Sequence, residues 1–345
     1  MAAPARVPIS PYIGIGPYNG RYMLAVLAVR TDPADPLAGL AVAERDEPRP
    51  PEGWELVKVV AASLNHHDLF TLQGIGVDPG RLPIVLGCDA SGVAQDGREV
   101  IVHAVISSAP GGDETLAPDF SILSERYDGT MADWVAVPRR NLVAKPPELS
   151  FEEAACLPTA WLTTYRALFT QAGVRPGDTV LVQGAGGGVA TAATVLGRAG
   201  GLRIWVTSRS ETKRVRALEL GAHGAFETGA RLPDRVHAVI DTVGEATWSH
   251  SLKALVPGGT LVTMGATSGS EPPADLKRIF YRQLRVIGST MGTREELAAM
   301  VRMLTLTGIR PVIDSVLPMD EAAEGFRRVA SGQLFGKVVL VADRA

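Results

Sequence analysis

Val180-Leu181-Val182-Gln183-Gly184-Ala185-Gly186-Gly187-Gly188-Val189-Ala190 places four glycines directly behind a short apolar run. A helix-forming stretch, Thr191–Arg198, follows and closes at Ala199-Gly200-Gly201. A strand that ends in glycines lets the backbone turn sharply and pass close to a ligand. The helix behind it directs free N–H groups and the positive end of its dipole back at the turn, a geometry that holds a pyrophosphate. Glycine clusters alone also mark ordinary turns. Here a second apolar run, Leu202-Arg203-Ile204-Trp205-Val206-Thr207, begins about 20 residues on, which is the strand–turn–helix–strand context a dinucleotide fingerprint requires. The stretch therefore predicts a cofactor turn built on Gly184, Gly186, Gly187 and Gly188.

The same rhythm continues on both sides of this turn. Ser150, followed by Glu152 and Glu153, is an N-cap for a helix through Leu157. Strands then alternate with helices: 179–183, a helix from 189, 203–207, helix 211–220, 225–226, 237–242, a helix over 247–255, 260–264 and 284–289. Such alternation predicts right-handed crossovers and a doubly wound parallel sheet with ligands at the carboxyl ends of its strands. Two helical stretches, 294–306 and 320–330, precede a last strand, 337–341. The first 145 residues read differently, as short strands (23–30, 54–61, 92–94, 99–105, 134–137) broken by prolines and turn residues. Residues 107–128 are polar and read as a long surface loop, and the first 22 as an irregular extension. The expected organisation is a β-rich domain over 1–145 and 291–345, into which an α/β cofactor domain, 146–290, is inserted.

Bulk properties agree with a soluble enzyme. A chain of 345 residues exceeds one ordinary core. Its net charge of −3 carries no basic excess that would suit a nucleic acid, and no apolar run is long enough to span a membrane. Two cysteines, Cys88 and Cys156, make no disulfide framework, so a cytoplasmic location is expected.

Taken together with Ser63-Leu64-Asn65-His66-His67-Asp68, Leu86-Gly87-Cys88-Asp89-Ala90-Ser91-Gly92, Gly129-Thr130-Met131-Ala132-Asp133-Trp134, Ile287-Gly288-Ser289-Thr290-Met291-Gly292 and Phe335-Gly336-Lys337-Val338-Val339-Leu340, the glycine turn resembles the medium-chain dehydrogenase/reductase superfamily. The resemblance runs over nearly the whole chain from Met23. It implies a GroES-like catalytic domain around a Rossmann cofactor domain. Its alcohol dehydrogenase branch holds catalytic zinc with a Cys, a His and a second Cys, and carries a Glu next to that His. By motif alignment those places fall on Asn65, Cys88 and Thr159, with Asp89 in the Glu place. Asn65 and Thr159 are poor zinc donors. The structural-zinc lobe of that branch has four cysteines, and the corresponding 107–128 has none. No metal is expected. The closer resemblance is to the zinc-free quinone oxidoreductases and enoyl reductases, whose substrates are small molecules with a conjugated carbonyl.

An NAD-binding unit usually places Asp or Glu at the end of its second strand. This chain has Val206-Thr207-Ser208-Arg209-Ser210 there, with Lys213 beyond. Ser208, Arg209 and Lys213 suit a 2′-phosphate, because Arg binds phosphate with two hydrogen bonds. NADPH is the expected cofactor. The resemblance adds Thr163, Val189, Asp241, Val243, Gly265, Ala266, Ser289, Thr290, Met291 and Lys337 as cofactor contacts.

For the chemistry, Asn65 and Asp68 read either as groups near the nicotinamide or as caps of a short helix over 68–73. His66 and His67 are neighbours that point in different directions, and either is a candidate proton source. Many enoyl-thioester reductases of the superfamily carry a Tyr 11 residues after the motif Asn, where this chain has Gly76. Three readings remain open: an NADPH-dependent reductase of activated C=C bonds, an alcohol or carbonyl dehydrogenase, and a non-catalytic NADPH-binding protein. Relatives commonly pair as homodimers through the edge strands of their cofactor sheets, here near 284–290.

Overall fold

The computed structural model describes residues 22–108 and 112–342, so most of the irregular extension and part of the loop 107–128 lie outside the described residues. It separates into two compact units: one of residues up to 159 with 293–298 and those from 313 on, the other of 160–292 and 299–312.

The second unit is a parallel sheet of six strands: β1 (Thr179–Gln183), β2 (Arg203–Thr207), β3 (Gly224–Phe226), β4 (Val236–Asp241), β5 (Leu255–Thr263) and β6 (Arg285–Gly288). Their order is β3-β2-β1-β4-β5-β6, every pair parallel. All five residues of β1 are buried, as expected of a strand covered on both faces, and this is why its apolar run does not alternate. Leu181, Val239, Leu261 and Trp205 belong to one core cluster. The order reverses beside β1, and the crevice outside such a switch point is where doubly wound sheets take their ligands. The helix that starts there, Gly188–Ala199, buries Ala192, Ala193 and Leu196. It also approaches β2 so closely at Gly197 that a side chain would collide with Ile204. Ser210 caps the next helix, Glu211–Leu220, and Gly221, at φ 110°, ends it.

The first unit is mainly antiparallel. Its main sheet runs in the order 142–144, 99–102, 89–94, 54–63, 337–341, 313–318, with 134–138 pairing the other end of 54–63. A smaller sheet holds 40–46, 22–28 and 84–85. Ser150 does cap its helix: its hydroxyl accepts from the Glu153 N–H at 3.1 Å, and the Glu153 carboxylate accepts from the Ser150 N–H at 2.9 Å. The helix, Phe151–Ala155, belongs to this unit and not to the cofactor unit, because Ala155 and Cys156 pack against Ala61 and Val339. Residues 121–125, expected on the surface, turn inward instead. Ser121 and Ile122 pair with Val105 and Ile106, and Leu123 and Ser124 are fully buried. Among the described residues no helix is long and apolar enough to cross a membrane.

Candidate functional site

Three adjacent strands of the first unit bring distant motifs together. Ser63, the last residue of 54–63, lies opposite Asp89, the first of 89–94. On its other side it faces Val339 of the strand that begins at Lys337. Asp89 is fully buried, and Lys337 is 3% exposed. The Lys337 ammonium donates to the Leu64 carbonyl (2.6 Å), to Asn65 Oδ1 (2.6 Å) and to Asp89 Oδ2 (3.2 Å). Asp89 Oδ2 also accepts from the Ser63 hydroxyl at 2.7 Å and from Asn65 Nδ2 at 2.8 Å. An ammonium has three protons to give, and here each has an acceptor. Lys337 therefore braces the sheet ends, and a cofactor contact would require it to abandon one of these partners. Both ends of the Asn65 amide are engaged in the same network. Of the two roles open to Asn65 and Asp68, helix capping is the one visible here: the Asn65 N–H donates to Asp68 Oδ2 at 2.7 Å at the start of the helix His66–Gln73.

This helix exposes His66 and half-buries His67. His67 Nε2 lies 3.3 Å from Glu125 Oε1, while its Nδ1 is buried without a hydrogen-bond partner. Asp68 is fully buried, and that burial pushes its carboxyl up to about 6. Burial, with Asp68 and Asp89 nearby, pushes the Cys88 thiol well above its usual range. The sulfur accepts from the Thr159 hydroxyl at 3.3 Å and lies 3.6 Å from Asn65 Nδ2.

The alcohol dehydrogenase pattern implies a metal at this position, and His67, Asp68 and Cys88 do offer donor atoms within 4.8 Å of one another. Part of the surroundings counts against one. Hydrogen-bond donors from Thr159 and Asn65 face the sulfur where a metal would need its lone pairs. Asp68 Oδ2 is committed to the helix cap, which leaves Oδ1 as its open oxygen. Beside the cluster, the Lys337 ammonium pairs with Asp89. A catalytic zinc takes three deprotonated protein donors; here His67 Nδ1 and Asp68 Oδ1 are buried without hydrogen-bond partners, while burial and the neighbouring carboxylates hold Cys88 as the thiol.

In the cofactor unit, Gly187 is the N-cap of Gly188–Ala199 and has no side-chain cap. A Cβ on Gly187 would meet nothing within 4 Å, so the space beside the helix start is open for a phosphate. Gly184 turns the chain out of β1 at φ 119°. Ser208, at the end of β2, is half-buried and Arg209 is exposed. Ser210 Oγ accepts from the Lys213 N–H at 3.3 Å. Arg214, which sequence reading passed over, folds back so that its guanidinium donates to the Ser208 carbonyl at 2.7 Å and braces this loop. A basic residue one turn into a helix gives no signal of such a role. The Asp241 carboxylate is buried and fully occupied, accepting from Val243 N, Gly244 N, Thr247 Oγ1 and Ser251 Oγ. It shapes the turn that carries Val243. Gly265 is required by its neighbours, since a Cβ there would lie 2.8 Å from the Thr242 carbonyl oxygen; Ala266 beside it is exposed. Beyond β6, the buried Ser289 hydroxyl has no partner, Thr290 is exposed, and buried Met291 takes a left-handed φ of 51°. Thr163 is 8% exposed, and Val189 accepts from the Thr164 hydroxyl at 3.4 Å. The open Gly187 cradle and the unpartnered Ser289 hydroxyl fit a dinucleotide.

Residues 51–147 match the model for the alcohol dehydrogenase GroES-like domain, and 220–340 that for a zinc-binding dehydrogenase. A zinc-type alcohol dehydrogenase-like protein of Schizosaccharomyces pombe is 31% identical over 92% of this chain and 100% of its own length. The acryloyl-coenzyme A reductase of Metallosphaera sedula is 29% identical over 88% of this chain and 96% of its own. A solved NAD-dependent alcohol dehydrogenase superposes with a TM-score of 0.85 at 35% identity, over 93% of this chain and 100% of that one.

Proposed function

The chain belongs to the medium-chain dehydrogenase/reductase superfamily and is an oxidoreductase, and we propose that it reduces an activated C=C bond with NADPH and without a metal. The substrate class is a quinone, an enone or an enoyl compound. The observation that carries this reading is the Lys337 ammonium beside the cluster where the alcohol dehydrogenase pattern has its metal. A saturated ketone needs its carbonyl polarised, which a Lewis acid does well. A conjugated acceptor needs less: hydride adds to the far carbon, charge passes to the carbonyl oxygen, and a proton completes the reduction. Bound NADPH supplies the hydride. Gly187, Gly188 and the helix start hold its pyrophosphate, and Ser208, Arg209 and Lys213 hold its 2′-phosphate. His67, the half-buried member of the histidine pair, supplies the proton, with Asp68 behind it. The relative named as an acryloyl-coenzyme A reductase supports C=C reduction, and the solved NAD-dependent neighbour makes cofactor choice a point to measure.

The protein is further read as a homodimer. Strand β6 is the sheet edge, Val286 on it is 40% exposed, and Phe280 and Tyr281 just before it are 69% and 77% exposed. An uncovered apolar edge invites pairing.

A second reading, a metal-dependent carbonyl or alcohol dehydrogenase, draws on the close approach of His67, Asp68 and Cys88. The two are separated by offering metal-stripped enzyme a quinone, an enone, an enoyl thioester and a saturated ketone in parallel. Turnover confined to the conjugated acceptors supports the first reading; ketone turnover restored by zinc supports the second.

A further inference from the structure

A buried polar chain crosses the carboxyl ends of three strands of the cofactor sheet. Thr207, Gln183 and Asp241 lie in register on β2, β1 and β4, each the last residue of its strand. We propose that Gln183 is a positioning residue for the dinucleotide: by tying these strand ends together it fixes the span between the loop that takes the 2′-phosphate, 208–213, and the turn at 242–244. The role rests on the reading of NADPH as cofactor.

The Gln183 side chain is 1% exposed, and both ends of its amide are engaged. Its Oε1 accepts from the Thr207 hydroxyl at 2.7 Å. Its Nε2 donates to the Ser251 hydroxyl at 3.0 Å and to His250 Nδ1 at 2.9 Å. Ser251 in turn donates to Asp241 Oδ2 at 2.7 Å. On the far side of the imidazole, Nε2 lies 2.9 Å from the Ala230 carbonyl. A carbonyl only accepts, so the ring proton is on Nε2 and Nδ1 is left as an acceptor. This dictates the amide's orientation, with its NH₂ toward the ring and its oxygen toward Thr207. The donors all run one way, from Thr207 through Gln183 and Ser251 to the Asp241 carboxylate, so the bonds polarise one another.

The loops that leave these three residues are those that face the ligand. Ser208 follows Thr207, and Gly184 follows Gln183, leaving the strand at φ 119° and pairing with Thr207. Beyond Asp241, its own carboxylate accepts from the Val243 and Gly244 N–H groups at 2.8 and 3.0 Å. Stability alone gives no reason for an amide at this place. Strand β1 is covered on both faces, and an apolar side chain of similar length would avoid the cost of burying polar atoms. A fully satisfied buried network instead specifies one geometry. With its amide engaged on both sides, Gln183 acts through the loops it holds and not by touching the ligand.

The test is calorimetric titration of the full-length protein with NADPH and with its two halves, adenosine 2′,5′-bisphosphate and reduced nicotinamide mononucleotide. Gln183→Met keeps the side chain's length and removes its hydrogen bonds. Two linked halves bind as one only while their sites keep the linker's span, so this variant should bind NADPH about tenfold more weakly and each half within about twofold of wild type. Thr207→Val, which deletes one hydroxyl of the chain, should show the same pattern and serves alone if Gln183→Met does not fold. Thr207→Ser keeps the hydroxyl and should bind NADPH as the wild type does. Unchanged NADPH affinity in the Met and Val variants overturns the proposal. So does an equal loss for NADPH and for both halves, which marks a general loosening of the fold and not a lost span. Wild-type protein that binds adenosine 2′,5′-bisphosphate no better than adenosine 5′-phosphate is a separate failure, that of the NADPH reading, and removes the role with it.

Discussion

Replacing Lys337 with Met tests what holds the site together. The methionine keeps most of the buried volume but removes an ammonium that serves three acceptors, at 2.6, 2.6 and 3.2 Å. It leaves Asp89 fully buried, with only the Ser63 hydroxyl and the Asn65 amide to answer its charge. Breaking a buried ion pair from one side costs about 3–5 kcal/mol, because the surviving charge remains out of water. For a unit of about 200 residues, each kcal/mol moves the melting temperature by about 2–4 °C. Lys337→Met should therefore melt about 10 °C lower in a calorimetric scan of the full chain. Removing both charges in Lys337→Met/Asp89→Asn should recover most of the loss. A single-variant cost below about 1 kcal/mol, the range of exposed pairs, would refute the reasoning.

Asp68 makes stability pH-dependent. Its folded carboxyl titrates at about 6 against an ordinary 3.8, so the folded protein binds the proton more tightly and loses stability as pH rises through that window, by about 3 kcal/mol in all. Asp68→Asn keeps an oxygen for the Asn65 N–H and should remove this slope; urea midpoints from pH 4 to pH 7 check it, and parallel slopes would contradict it. Gly187→Ala and Gly265→Ala should behave oppositely. The first has open space and should keep its melting temperature while weakening NADPH binding at least tenfold by titration, whereas the second meets the Thr242 carbonyl and should destabilise the protein without ligand. Arg209→Ala should raise KM for NADPH about 10–100-fold, the worth of a charged hydrogen bond, and leave KM for NADH unchanged.

The cofactor sheet was legible in the sequence because its strands are buried on both faces and its turns carry glycine, so pattern and environment agree locally. The ends of strands β1 and β2 are read to the residue. The strands 40–46 and 313–318 were not, since they are partly exposed, alternate poorly and are defined by their partners. The site shows the same division. Asn65, Asp68, Cys88 and Asp89 were visible as motif positions, but what they do depends on Lys337, at the far end of the chain, which only strand register brings to them. The expectation of Lys337 as a cofactor contact comes from its place in the closing motif. Glu125 was hidden inside a polar stretch whose composition describes a surface loop, although its Ser121, Ile122 and Ser124 are buried. Arg214 brings nothing distinctive to a helix rich in charge.

The most direct test follows the hydride itself. Metal-stripped enzyme would be given NADPH deuterated at C4 and a simple enone, and the product examined by ²H NMR. Deuterium on the carbon β to an intact carbonyl is the result expected of a metal-free C=C reductase. Deuterium on a carbinol carbon, in an allylic alcohol formed only when zinc is returned, would contradict it.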